Sequence, residues 1–534
     1  MPAGYLALVL HAHLPFLRHP EDETVMEERW LYEAVSDTYL PLLRIFEGLA
    51  HDRVPFRCTL SMSAPLLCML RDDLLKERIA THLDSLIALA ESELVRTRKE
   101  PWYQKLARMY HERFTALRAT WRAHDGDLVR AFRRLQDSGC GLEVITSNAT
   151  HAFLPLMDKN WPAMRAQVEI AADLYERCFG RRSSGMWLAE CGFVPGVDEL
   201  LRDAAVRYFF VDSHAVEHAE RRPVNGVFAP LYCRSGVAAF ARDAESSRQV
   251  WSAKEGYPGD KHYRDFYRDI GFDLPIDYLA RWIHPEGHRL YTGFKYHAIT
   301  HEKLHDKWVY EPEIARGKAG LHATHFRESR RAQCTVVAGK TDRPPLVVAP
   351  FDAELFGHWW FEGVQWLDDL LRQLHYDEAR VDPSRRVAPV TPAQYLDLHP
   401  TNQQSTPSAS SWGQKGFSEY WLDESNAWVY RHLHEAADRM VALARRFTNP
   451  TELERRALNQ AARELLLAQS SDWAFIMKTG TTVSYATRRT NEAVLRFHRL
   501  HDDLLAGTVD DAYLGALEKK DNLFPDVDYR IYAG

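Results

Sequence analysis

The stretch Ala349-Pro350-Phe351-Asp352-Ala353-Glu354-Leu355-Phe356-Gly357-His358-Trp359-Trp360 concentrates the residue types that handle sugars. Carboxylates can do acid/base work, and indole rings offer flat apolar faces on which a pyranose stacks. The run follows Leu346-Val347-Val348, whose β-branched apolar character reads as a buried strand, so Asp352 is expected at a strand's C-terminal end. The competing reading is that Asp352 caps the next helix while Trp359 and Trp360 fill the core. Glu190 is a second acid of the same kind, preceded by Trp187-Leu188-Ala189 and followed by Cys191-Gly192. Cleaving a glycosidic bond with retention takes one carboxylate as nucleophile and one as acid/base, about 5 Å apart. Which of the two would hold the raised pKa is not readable from the chain.

Five histidines, His11, His13, His151, His214 and His358, could converge on an ion. They lack the spacing of a HExxH site, and neutral histidines also hydrogen-bond sugar hydroxyls, so no metal or other cofactor is expected. No GxSxG elbow supports a serine nucleophile.

The elements that must position these groups follow one pattern of strand, then polar loop. Tyr5–Leu10 leads into His11-Ala12-His13-Leu14-Pro15-Phe16, and Leu142-Glu143-Val144-Ile145 into Asn148-Ala149-Thr150-His151. Gly185–Ala189 leads into Glu190, Tyr208–Val211 into Asp212-Ser213-His214, and Leu346–Ala349 into Asp352. Helical periodicity around 163–179 and 197–205 lies between them, so the alternation is β-α and the sheet mainly parallel. Many strands delivering chemistry to one place favour a TIM-like barrel over an open sheet, because closure gathers their ends around one mouth. From 72 to 136 the chain turns helical, with no glycine between Ala50 and Asp125, and reads as an insertion. Leu398–Gly416 is rich in Ser, Pro, Thr, Gln and Asn and reads as a linker or long loop; beyond it, helical periodicity returns.

At 534 residues the chain suits a large catalytic domain with attachments. Lys+Arg number 67 against Asp+Glu 74, a formal charge of −7 with no long basic run, which argues against nucleic acid. Seven cysteines without CxxC spacing read as reduced thiols and a cytoplasmic setting. No export signal or run of ~18 apolar residues is apparent, so no membrane is expected.

Taken in order, His11–Phe16, Asn148–His151, Trp187–Gly192, Phe210–His214 and Ala349–Trp360 resemble the five signature regions of glycoside hydrolase family fifty-seven. The resemblance extends over essentially the whole chain and points within that family to the glucan branching group. It implies an incomplete (β/α)7 TIM-like barrel over 1–60 and 137–396, an inserted helical domain at 61–136, a linker or loop at 397–416, and a C-terminal all-helical domain at 417–534. By motif match Glu190 would be the nucleophile and Asp352 the acid/base, with His11, His13 and His151 lining the subsite of the covalent glucosyl intermediate. No metal is implied. Val250-Trp251-Ser252-Ala253, Gly256–Gly259 and Tyr263-Arg264 resemble the segment that gives the glucan an aromatic wall, Trp251, and an arginine, Arg264. Gly293 would let backbone approach the sugar, having no side chain in the way. Trp359 from the fifth motif, with Trp412, Trp421 and Asp472 from the C-terminal part, would complete the substrate-binding set, against a plain packing role for each tryptophan. Trp473 divides evenly between the two. One departure concerns a mobile lid tyrosine of the family: the corresponding region, about 225–236, is shorter here, with Phe228 or Tyr232 as substitutes, so water would compete with transfer.

The expected activity is 1,4-α-glucan branching of amylose, starch or glycogen, with side hydrolysis. An α-amylase or 4-α-glucanotransferase with the same carboxylates is the nearest rival. A glucan-binding protein with a vestigial site and a metal-dependent deacetylase are more distant ones.

Overall fold

The computed structural model describes residues 2–252, 255–300, 306–413 and 415–534. Ala253 of the Val-Trp-Ser-Ala segment and Gln414 of the 397–416 stretch lie outside the described residues. The strands are β1 (Gly4–Ala12), β2 (Cys58–Met62), β3 (Leu142–Ser147), β4 (Gly185–Trp187), β5 (Tyr208–Val211), β6 (Leu231–Tyr232), β7 (Ala238–Ala241), β8 (Leu346–Asp352) and β9 (Val387–Pro389). Seven run parallel in the order β7-β5-β4-β3-β2-β1-β8, β6 pairs antiparallel with β7, and β9 pairs with the start of β1. No ladder joins β7 to β8 among the described residues. The bond from Asp243 N to Val348 O, 2.9 Å, bridges that seam, so the curled sheet is an incomplete (β/α)7 barrel rather than a closed one.

β1 is buried along its whole length, as a parallel strand covered on both faces must be. Its alternate residues serve two cores. Tyr5, Ala7 and Val9 join Trp187, Phe210, Phe240, Leu346 and Val348 in one cluster inside the curl, whereas Leu6, Leu8 and Leu10 pack outward into the larger helical core. The same parity runs on to the strand ends. Two residues past Val9 is His11, and four past Val348 is Asp352; the register pairs His11 with both Ser61 and Asp352. A functional layer therefore caps the inner core at the C-terminal mouth.

β1 is two residues longer than its apolar run suggests, because His11 and Ala12 complete ladders with β2. Likewise Ser61 and Met62, placed by sequence at the start of the helical insertion, are the last residues of β2. The helices Ala64–Arg71, Asp73–Arg96, Pro101–Ala123 and Leu128–Asp137 follow. Asp72 caps the second of these, accepting from Leu75 N at 3.1 Å. The described residues of 399–416 form no regular element, yet they are pinned rather than loose: Ser405, Ser410 and Ser411 are buried, and Phe193 and Ser410 exchange both backbone bonds. After them come the helices Trp428–Arg446, Glu452–Ala468, Ser471–Thr479, Val483–Ala506 and Asp511–Lys520. Among the described residues no helix is long and apolar enough to cross a membrane.

Gly357 fixes the loop after β8. It sits at φ +103° with its amide bonded to Trp360 O, and a Cβ there would lie 1.9 Å from Asp37 O. Gly357→Ala is expected to cost about 2–4 kcal/mol from left-handed backbone strain and overpacking together. Gly317→Ala, on an open face of the helix Pro312–Ala338, should be neutral or stabilise by about 1 kcal/mol. Thermal midpoints of the two variants check the contrast; equal midpoints would contradict it.

Candidate active site

The strand ends open into a cavity of about 540 Å³ lined by Glu190, Asp352, Glu354, Arg242, Asp472, His11, His13 and His151. Trp251, Trp359, Trp412, Trp421, Tyr420 and Phe475 supply its aromatic walls. Glu190 stands just after β4 in the left-handed region, φ 62° and ψ 23°, followed by Cys191 at φ 50°; His151 shares the conformation at φ 57°. Such backbone is costly for residues with a Cβ and persists where surrounding contacts enforce it.

Those contacts are identifiable. Glu190 Oε2 accepts from Trp412 Nε1 at 2.7 Å and Oε1 from Ser471 Oγ at 3.0 Å, while Trp412 N donates to Glu190 O at 2.8 Å. Behind Ser471 a chain of bonds runs back into the barrel: His151 Nδ1 to Ser471 Oγ, 3.0 Å; His11 Nε2 to His151 Nε2, 2.9 Å; His11 Nδ1 to Ser61 Oγ, 3.1 Å. Burial, then the neighbouring histidines, hold His11 and His151 well below the ordinary imidazole value, so both rings are neutral. With Ser471 donating to Glu190, one direction satisfies every member: Ser61 donates to His11, His11 to His151, His151 to Ser471. His13 stands beside this chain, stacked on His151 at 3.7 Å, bonded to Ser63 Oγ at 2.9 Å and to Asp472 at 3.0 Å.

Burial pushes the Glu190 carboxyl up to about 7 against the bonds from Trp412 and Ser471 that favour its ionised form. Asp352 is also pushed up to about 7, by burial and then by the neighbouring Glu354, with His13 and Arg242 opposing. Glu354 itself rises to about 7 by burial, although Tyr39 Oη and His13 N both donate to it. Burial would raise Asp472 too, but His13 outweighs it, through charge and a hydrogen bond, and holds the group at about 2. Asp472 lies in the first turn of the helix Ser471–Thr479, where the helix dipole also favours negative charge.

Sequence reading brings most of its candidates to this cavity and misplaces two. Arg264 lies outside it, buried, with its guanidinium 3.9 Å from the centre of the Phe361 ring and Nη1 bonded to Tyr110 Oη; it is a packing cation. Gly293 lines a separate small crevice with His358, Asp37 and Lys295. His214 turns to Gly416 O, and Trp473 is buried with Nε1 bonded to Leu467 O. Neither Phe228 nor Tyr232 reaches the cavity wall. Arg242 escaped sequence reading, and Ser471, part of the Ser471-Asp472-Trp473 match, was not foreseen as a partner of Glu190. Arg242 follows β7, whose Ala-Ala-Phe-Ala run lacks the β-branched signature, although the strand-then-charge pattern of the other sites repeats there. A cation's ligands approach one another at His13, His151 and Asp472, but each ligand atom there already has a hydrogen-bond partner in the network just described.

Paired half-buried carboxylates under indole walls, at the mouth of an incomplete (β/α)7 barrel, define the glycoside hydrolase class. Residues 7–317 match the family described as Glycosyl hydrolase family 57, and residues 432–532 match the one described as 1,4-alpha-glucan branching enzyme, C-terminal; the chain belongs to glycosyl hydrolase family 57. It is 33% identical to a 1,4-alpha-glucan branching enzyme of Thermococcus kodakarensis over 98% of this chain and 78% of that protein. The crystal structure of the alpha-amylase AmyC from Thermotoga maritima superposes with TM-score 0.93 at 42% identity, over 100% of this chain and 99% of the other. The GH57-type branching enzyme from Pyrococcus horikoshii superposes with TM-score 0.88 at 31% identity, over 100% and 97%.

A carboxyl whose folded pKa is raised adds stability below its unfolded value and loses it as pH rises through the folded one. Glu190 therefore destabilises the fold progressively between about pH 4.5 and pH 7. The stability of Glu190→Gln relative to the parent should grow by about 2–3 kcal/mol from pH 5 to pH 8, any pH-independent cost of the amide cancelling in the difference. Thermal midpoints at the two pH values measure it, and a flat difference would remove the buried-acid assignment.

Proposed function

We propose that this chain is a 1,4-α-glucan branching enzyme working by double displacement. The observation that carries the reading is the pairing of Glu190 and Asp352 in one tryptophan-walled cavity, in a chain 33% identical over 98% of its length to a protein of that name. Glu190 attacks the anomeric carbon of an internal α-1,4 bond while protonated Asp352 gives its proton to the departing glycosidic oxygen. Asp352, now ionised, takes the proton from an acceptor's 6-hydroxyl, and that oxygen displaces Glu190 to leave an α-1,6 branch.

The surroundings divide these roles. Glu190 holds two donors that favour its carboxylate, whereas Asp352 has Glu354 beside it and no side-chain donor among the described residues, which favours its proton. His11, His13 and His151 line the subsite of the reacting sugar, and their nitrogens are committed to the network that orients Ser471 and Asp472. Asp472, ionised beside His13, accepts hydroxyls. Trp251, Trp359 and Trp412 give the glucan its stacking faces, whereas Trp421 is 1% exposed and stacked on Phe153 at 4.7 Å, so it packs the wall from behind. The helical part beyond 417 closes the cavity built by 1–60 and 137–396. The seven unpaired cysteines suit a reducing cytoplasm, where glycogen would be the product.

A second reading, α-amylase, is favoured by the likeness to AmyC and by the distance of Phe228 and Tyr232 from the cavity wall, since water reaching the glucosyl intermediate hydrolyses it. Incubating amylose and counting α-1,6 anomeric protons by NMR decides: branches are expected, and linear fragments alone would replace branching by hydrolysis. With both acids near 7, the singly protonated pair should give a bell-shaped kcat/KM profile centred near neutrality. Glu190→Gln and Asp352→Asn should each lower kcat by on the order of 10³-fold or more.

A further inference from the structure

Beyond Trp359, outside the cavity, lies a row of rings that none of the chemistry above uses. Trp359, which lines the cavity yet is 52% exposed, packs on Phe266 with ring centres 4.5 Å apart and planes tilted by 30°. Phe266 leads to Tyr291 at 5.8 Å, and Tyr291 to Phe272 at 5.0 Å, with Tyr267 standing edge-on to Phe266 at 5.2 Å. Tyr267 is 63% and Phe272 47% exposed, so the row ends in water.

The row is held rigidly from below. Lys295 Nζ lies 4.3 Å from the centre of the Tyr291 ring and 5.0 Å from that of Phe266, a cation against two π-faces, and is bonded to Asp269 at 3.1 Å. Asp269 also accepts from Thr292 N and Gly293 N, each at 3.0 Å, which fixes the backbone that carries Tyr291. An ion pair between Arg268 and Asp273, 3.0 Å, ties the segment of Tyr267 to that of Phe272.

Exposed rings flanking the partly exposed Arg268–Asp273 ion pair suit a polyhydroxylated chain, which offers apolar ring faces and polar edges in alternation. A self-association patch keeps charges out of its centre. Because Trp359 belongs both to the row and to the cavity wall, whatever leaves the cavity on that side meets the row next. We propose that Trp359, Phe266, Tyr291 and Phe272, flanked by Tyr267, form a second binding surface that takes the outlying arm of a long α-1,4-glucan. This rests on the glucan reading of the cavity. It makes the enzyme distinguish long chains from short ones by contacts remote from the bond that is broken.

The test is the double variant Tyr267→Ala/Phe272→Ala, with Tyr267→Ser alone as the milder change should the double variant misfold. Affinity is measured for long amylose by retardation in amylose-containing native gels and for maltoheptaose by calorimetry. Losing the stacking should weaken amylose binding by about three- to tenfold. Maltoheptaose affinity and turnover, which depend on the cavity alone, should stay at the parent's value and certify the fold. Unchanged amylose affinity in such a variant overturns the proposal, as does a parent that sediments as a dimer and becomes a monomer on substitution. If the parent binds neither glucan, the proposed function fails first; if it binds both and only the variant result is negative, the ridge alone fails.

Discussion

Glu190 can hold its position and its charge only because two donors reach it from far along the chain. Trp412 Nε1 and Ser471 Oγ, 222 and 281 residues away in sequence, occupy one oxygen each. A buried carboxylate without such partners would be neutral or misdirected. The barrel thus makes the left-handed turn that presents Glu190, and the pinned loop and the helix Ser471–Thr479 complete it. Neither half of the molecule contains a finished site, which is why the helical part packs so intimately: Ser471 N bonds to His151 O, Gln167 Nε2 to Gln469 Oε1, and Arg489 to Phe16 O.

The same bonds explain why three carboxyls near 7 do not make the site ambiguous. Burial raises Glu190, Asp352 and Glu354 alike. What separates them is local: donors on Glu190, a like charge beside Asp352, and a tyrosine and a backbone amide on Glu354. The neutral His11–His151 pair extends the discrimination, since its directional bonds end with Ser471 pointing its proton at Glu190. Asp472, kept ionised by His13, adds negative charge that works against ionising Glu190, so the donors have more to offset than burial alone.

How much of this was legible in the chain follows from what fixes each side chain. Five strands, β1, β3, β4, β5 and β8, were legible because an apolar run that stops at a polar loop has one economical explanation, and strand parity then carries His11 and Asp352 to the inner face; β2 and β7 were not, since Cys58–Met62 is half polar and Ala238–Ala241 has no β-branched residue. Arg264 and Gly293 were misplaced because a loop dipeptide says nothing of which way its side chains turn. Only the structure reveals that Phe361 and Tyr110 claim the guanidinium. Ser471 was visible as a neighbour of Asp472 but not as a partner of Glu190, since that contact depends on how a helix start docks against a strand end. The 397–416 stretch looked like a linker by composition. Its backbone is instead bonded to Tyr232 at one end of the sheet and to Phe193 and Glu190 at the barrel mouth.

The balance between transfer and hydrolysis is then a question of what shares the cavity mouth with the glucosyl intermediate. In the proposed mechanism the carboxylate chemistry is indifferent to whether water or a 6-hydroxyl arrives, because Asp352 would accept a proton from either. Selectivity must come from excluding the smaller nucleophile or from raising the local concentration of the larger one. Phe228 and Tyr232 sit at the other end of the sheet, Phe228 O on the first residue of β8 and Tyr232 paired with the first of β7, so neither covers the mouth, and in the proposed mechanism the burden falls on surfaces that hold an acceptor chain in place. Trp412, Trp421, Tyr420 and Phe475 line one side of the mouth and Trp359 with its row of rings extends another, so the walls that bind glucan are also the means by which water is outcompeted.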